Sequence, residues 1–310
     1  FDHVHLSFES NYQVAKAMAE SVIDTVGPVS EDLPSSERVA SLLAYSEWDR
    51  LQVTQKLTNQ LLDKPPFSHQ WDHAGKQLER QRVLRKLHEQ FTADKRQASR
   101  TLIQTALDSK PEDPELNCRY GRLLEEMGDV EAARELIRKV VQNAPTNHEA
   151  LLELSKLSAS LGDFVEAEAS LLSILDINPY AIEVRNVYSH LLFEAGRLNE
   201  AASYNEGLVN DHPKDPDIRY VMALILKAQG KQQEALEQLE LAVAIDPDHS
   251  EARALMIQGF RSGGELNKAI QATRVWVKED PLNSEAQSLL AELLSQKKDF
   301  TGAIDHYKRA

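Results

Sequence analysis

Glycine returns every 34 residues along this chain, at Gly128, Gly162, Gly196, Gly230 and Gly264. A period of that length over five consecutive units means one supersecondary unit stacked in a row, and it rules out most other architectures. Alanine follows five positions later each time, at Ala133, Ala167, Ala201, Ala235 and Ala269, and again at Ala303. Proline closes the units at Pro145, Pro179, Pro213, Pro247 and Pro281, with Pro111 one period earlier. Three residue types held in one register do not recur like this by chance.

Each type has a mechanical reason. The glycine falls in the turn between two helices, as in EMGDVEAA and EAGRLNEAA, where a positive φ is cheap only for glycine. The alanine lies early in the second helix, where a small side chain lets the pair approach closely. The proline breaks the link to the next unit, because it cannot donate an interior helix hydrogen bond. Between these marks the apolar residues keep helical spacing, as in Leu151 and Leu154, then Leu171, Ile174 and Leu175. One such pair cannot bury its apolar face alone, whereas stacked neighbours can. The expected fold class is all-α.

The 34-residue period with this Gly–Ala–Pro arrangement resembles the tetratricopeptide repeat (TPR) family. The resemblance implies a right-handed superhelical solenoid of antiparallel helix pairs. Full units are expected at 114–147, 148–181, 182–215, 216–249 and 250–283, and a truncated unit from 284 carries Lys298 where the others have glycine. Residues 80–113 keep Ala106 and Pro111 but lack the turn glycine and the key alanine, so they read as a degenerate first unit. The family's small residue in the first helix is met by Gly121, Ser155, Ser189, Ala223 and Ala291, while Ile257 departs from it.

In the family the first helix of each unit lines an inner groove, with its second, fifth, ninth and twelfth positions toward the ligand. Carried onto this sequence, these are Glu115, Cys118, Arg122 and Glu125, then Glu149, Leu152, Lys156 and Ala159. The third unit gives Glu183, Asn186, His190 and Phe193, and the fourth Asp217, Tyr220, Leu224 and Lys227. The fifth gives Glu251, Ala254, Gln258 and Arg261. Apolar groups alternate with separated cations, a lining that suits an extended peptide or a helix with apolar anchors. The lysine–asparagine pattern that clamps a chaperone's terminal carboxylate is not reproduced by Cys118/Arg122 or Leu152/Lys156, so that ligand class is set aside.

Composition excludes other functions. A net charge of −14 over 310 residues gives no basic surface for phosphate contacts, so no nucleic-acid partner is expected. The lone Cys118 cannot form an internal disulfide or, by itself, a cysteine metal site, and it leaves the compartment open. No apolar run approaches the roughly 18 residues that cross a bilayer. No cofactor and no metal are expected.

The amino-terminal residues differ from the repeats. Asp2 and His5 form a D-x-x-H pair in FDHVHLSFESN, ahead of a helical stretch that carries Ala15, Met18, Ala19 and Val22 on one face. This block resembles the last sequence block of SGNH/GDSL-type hydrolases. There the histidine serves as general base toward a serine and the aspartate fixes its tautomer. The resemblance implies that residues 1–27 are a short helical remnant of an α/β domain whose nucleophile lies upstream, so the chain as given is inert by itself.

Residues 28–79 read as linker and helical connector, with a helix over 37–62. His69 and His73 have an i, i+4 spacing, but no Glu-x-x partner accompanies them, and Phe67 and Trp71 read as anchors instead. The array is expected over 114–310. The leading expectation is a protein-interaction module appended to an SGNH-like hydrolase or acyltransferase of bacterial type. The alternatives are a non-catalytic TPR scaffold, or an array belonging to an enzyme whose catalytic domain follows residue 310.

Overall fold

The computed structural model describes residues 15–16, 35–36, 39–40, 43–56, 58, 73–281 and 283–310. Asp2, His5, Phe67, His69 and Trp71 lie outside them. Every regular element among the described residues is a helix. These residues divide after Gly128 into two compact units.

The second unit opens with α5 (Val130–Asn143) and continues as hairpins. These are α6 (His148–Ser160) with α7 (Phe164–Ile177), and α8 (Ile182–Glu194) with α9 (Leu198–Asp211). Next come α10 (Pro216–Ala228) with α11 (Gln232–Ile245), α12 (Ser250–Ser262) with α13 (Leu266–Glu279), and α14 (Ser284–Gln296) with α15 (Phe300–Tyr307). Each second helix packs on the first helix of its own pair and of the next one, so the unit is a helical solenoid.

Residues spaced by 34 start and stop these helices. Asn147, Asp215, His249 and Asn283 stand at the N-caps of α6, α10, α12 and α14, and each side chain accepts the backbone N–H three residues on. Such a cap satisfies one of the donors that a helix start leaves open. Ala181, in the same register before α8, has extended backbone and no side-chain acceptor. At the turns, Gly162, Gly196, Gly230 and Gly264 take φ between 75° and 80°. Lys298 takes the same conformation in the last hairpin, at φ 68°, where its Cβ costs about 1 kcal/mol.

The register alanines Ala167, Ala201, Ala235, Ala269 and Ala303 are all buried. Ile257, the exception to the small-residue rule, is fully buried in a cluster with Met256, Phe260, Ala269, Ala286 and Leu290. The linkers are tied back by side chains six residues after the proline. Arg219 Nε donates to the Pro213 carbonyl at 2.8 Å and Gln287 Nε2 to that of Pro281 at 2.8 Å. Successive pairs are also joined by charge. Arg138 on α5 forks onto both oxygens of Glu166 on α7 at 2.7 and 2.8 Å, and Ser158 Oγ donates to the same carboxylate. The Arg138 guanidinium, first, and the Ser158 hydroxyl hold the Glu166 pKa below its ordinary value, against the opposing effect of burial.

The first unit holds α1 (Glu47–Lys56), α2 (His73–Gln90), α3 (Ala93–Ser109) and α4 (Pro114–Glu126). The turn between α2 and α3 falls at Phe91 and Thr92, ahead of Asp94, which holds the glycine register. Ser99 takes the alanine register and is 3% exposed.

The single helix expected over 37–62 is broken at Leu43 and Ala44. Three observations account for the break. Ala44 takes φ 49° and is fully buried. Ser46 and Asp49 cap α1 reciprocally, with the Ser46 N–H donating to Asp49 Oδ2 at 2.7 Å and the Asp49 N–H to Ser46 Oγ at 3.3 Å. Arg119 on α4 then donates to the Leu43 and Ala44 carbonyls at 2.9 and 2.7 Å and to Asp49 Oδ1 at 2.8 Å. Trp48, 2% exposed, donates its indole N–H to Glu126 at 2.8 Å.

Ala181→Asn supplies the missing cap and is expected to stabilise the chain by about 1 kcal/mol. Thermal unfolding at neutral pH reads this as a raised midpoint; an unchanged or lowered midpoint contradicts the cap register.

Candidate protein-binding face

The first helices of the second unit lie side by side. α8 contacts both α6 and α10. Lys227 Nζ on α10 donates to Gln258 Oε1 on α12 at 3.2 Å, and Arg261 on α12 pairs with Glu292 on α14 at 3.2 Å. Leu152, Asn186, His190, Phe193, Tyr220, Leu224 and Lys227 are half-buried, while Lys156, Gln258 and Arg261 are exposed. Leu152 packs on the core built from α6, α7 and α8. Phe193 and Tyr220 pack on the one built from Leu192, Ala201, Val221 and Ile225. Each thus rests one side on a rigid core and leaves the other to solvent, so these apolar groups are held in place before any ligand arrives.

The polar groups are positioned as well. The His190 ring lies 5.8 Å from that of Phe193, and its Nδ1 is 3.7 Å from Glu194. Asn186 Oδ1 is buried and has no hydrogen-bond partner, a state that ordinarily costs free energy unless a further donor arrives.

Arg122 lies on α4 and belongs to the first unit, where its Nε reaches the Cys118 carbonyl at 3.5 Å. The expectation that Cys118 faces a ligand is corrected, because it is 1% exposed. It lies next to Arg119, on the helix across which α1 docks.

Sequence reasoning overlooked His249. Its side chain is 8% exposed and caps α12 through Nδ1, which accepts the Ala252 N–H at 3.2 Å. That bond puts the neutral ring's proton on Nε2, which is buried, with Asp217 Oδ1 3.3 Å away. Glu251 Oε2 is 3.4 Å from Nδ1, and the Tyr220 ring is 5.1 Å from the imidazole. Burial opposes charge on His249, but the Asp217, Glu251 and Asp246 carboxylates outweigh it and raise its pKa. Burial, and then the Glu251 charge, raises that of Tyr220. The cap role was legible from the 34-residue register of Asn147, Asp215 and Asn283; the carboxylates around the ring were not.

Among the described residues no group of three histidine, cysteine or acidic side chains could hold a metal, and no helix is long and apolar enough to cross a membrane. An open depression of about 610 Å³ is lined by Tyr188, Leu192, Asn199, Glu200, Ser203 and Tyr204. It shares no residue with the first-helix positions above.

Family models described as tetratricopeptide repeat match residues 84–148, 121–182, 158–225 and 226–293. Together they span 84–293, well over half of the chain. No protein of curated function matches by sequence. Among solved structures, a thermophilic TPR protein of Thermus thermophilus is 20% identical with a TM-score of 0.50, over 58% of this chain and 98% of that one. A tetratricopeptide repeat protein from Parabacteroides merdae ATCC 43184 is 14% identical with a TM-score of 0.53, over 74% of this chain and 91% of that one. A chain of the APC/C heterotetramer Cut9–Hcn1 is 16% identical with a TM-score of 0.50, over 98% of this chain and 56% of that one. At these identities the likeness is one of fold.

Proposed function

Because the chain belongs to the tetratricopeptide repeat family, we propose that it is a protein-interaction scaffold whose second unit binds a peptide segment along the first-helix face of α6, α8, α10 and α12. The observation that carries this reading is the unfinished state of that face. Leu152, Phe193 and Tyr220 are anchored on the core but only half-covered, and Leu224 is half-buried. A ligand side chain that completes the burial of one such group gains on the order of 1 kcal/mol. Lys156, Lys227 and Arg261 stand along the same face and set orientation more than affinity. No chemistry is needed for this role, and none of these residues forms a nucleophile–base pair.

Selection of a random 12-residue peptide library on the chain supplies the probe. Tyr220→Ala with Leu224→Ala is expected to weaken a selected peptide about tenfold or more, with helical circular dichroism retained. Unchanged affinity moves the ligand off this face.

The spacing of Asp2 and His5 favours a separate reading, in which they belong to a serine triad of an appended SGNH-like domain. It stands on that sequence pattern alone. Hydrolysis of p-nitrophenyl acetate by the full-length protein, abolished by His5→Ala with an unchanged melting midpoint, is the expected result. Equal turnover in both proteins removes the pair from the chemistry, and the non-catalytic scaffold then describes the protein.

A further inference from the structure

We propose that the junction of α10 and α12 is a proton switch: a neutral His249 caps α12, and a charged one gives up that cap to join Glu251 on its own helix to Asp217 on α10. The device stands whether or not the first-helix face binds a peptide. His249 holds the cap register of Asn147, Asp215 and Asn283, and of these four side chains only an imidazole ordinarily changes charge near neutral pH. Its side chain is 8% exposed, and Nδ1 accepts the Ala252 N–H at 3.2 Å. Glu251 Oε2 lies 3.4 Å from that same nitrogen, and Asp217 Oδ1 lies 3.3 Å from Nε2. One buried ring is thus set between carboxylates of two successive units.

The two charge states cannot share one arrangement. Nδ1 accepts the cap bond only while its lone pair is free, so the neutral ring carries its proton on Nε2, on the side of Asp217. A second proton takes that lone pair and turns Nδ1 into a donor facing the Ala252 N–H. The cap is then lost, and Glu251 Oε2 is in place to accept the new N–H. Ser250 Oγ donates to the same oxygen at 2.9 Å and helps hold it there. Two charge-assisted contacts, one of them across the junction, replace a neutral cap.

The groups around the ring decide which state is favoured. Burial opposes the charge, and a helix start disfavours a cation as well. Asp217 on α10, Glu251 on α12 and Asp246 in the linker outweigh burial and raise the pKa above its ordinary 6.5. Asp248 adjoins His249 in the chain, and burial, then the Asp246 charge, raises the pKa of its carboxyl. Arg253, one turn on, is engaged by Glu279 of α13 at 2.6 Å. From α10, Tyr220 presents an aromatic ring at 5.1 Å. Folded His249 therefore holds its proton more tightly than the unfolded chain does, and protonation stabilises the fold. That stabilisation is complete below 6.5 and is lost as pH rises through the raised value.

Heteronuclear magnetic resonance of the chain between about pH 5.5 and 8.5 follows both halves of the switch. Comparison with His249→Asn identifies the ring's signals. Asparagine already caps this position in two other units, so that variant keeps α12 capped without a titrating group. The ring is expected to lose its charge above the ordinary imidazole midpoint and to leave the proton on Nε2. The Ala252 amide proton is expected to move upfield with the same midpoint as the ring gains charge and the cap bond breaks. In Asp217→Asn/Glu251→Gln, with circular dichroism retained, the midpoint is expected to fall below the ordinary value. The melting temperature of the chain, measured against His249→Asn, is expected to drop as pH rises over the same range. A ring that titrates at or below the ordinary value, a midpoint unmoved in the double variant, or an Ala252 amide that ignores the titration overturns the switch. So does a melting difference that stays constant with pH.

Discussion

A methyl group limits how closely each helix pair approaches. Ala167, Ala201, Ala235 and Ala269 are buried between first and second helices, and interiors at this density do not absorb extra volume cheaply. Because the alanine returns every 34 residues, each hairpin has nearly the same spacing and each neighbour meets it in the same way. The left-handed glycine before it and the proline after the second helix fix where the chain reverses. The result is a stack in which the outer positions of the first helices are free to vary. That freedom allows Leu152, Asn186, His190, Tyr220 and Leu224 to differ while their backbone positions repeat.

Rigidity and recognition are linked through this arrangement. Side chains half-buried on a packed core lose little conformational entropy when a ligand covers them. Charge does a second task along the same elements. The Arg138–Glu166 fork ties successive repeats together, and the Arg253–Glu279 pair joins the two helices of one hairpin. Asp217 and Glu251, more exposed, both approach the His249 ring.

The repeat architecture was legible in the sequence because its determinants are positional. A glycine, an alanine and a proline recur at fixed offsets, and the structure places them in a left-handed turn, a buried contact and a linker. The N-caps share the register and could have been read with them, including the gap at Ala181. What was not legible lacks a period. Arg119 reaches two backbone carbonyls and a carboxylate more than sixty residues earlier, and nothing local in RYGRLL announces it. That clamp breaks the connector at Ala44, a residue with no sequence signal for positive φ. Burial of Cys118 was likewise hidden, because the family position that carries it is ordinarily open to ligand. The surroundings of His249 depend on Asp217 one unit earlier, so no single segment reveals them.

Hydrogen–deuterium exchange of the chain, with and without a selected peptide, tests most directly whether the first-helix face is the ligand surface. The account predicts added protection on α6, α8, α10 and α12, with α7, α9, α11 and α13 unchanged. Protection confined to those second helices would contradict it and place recognition on the opposite side of the stack.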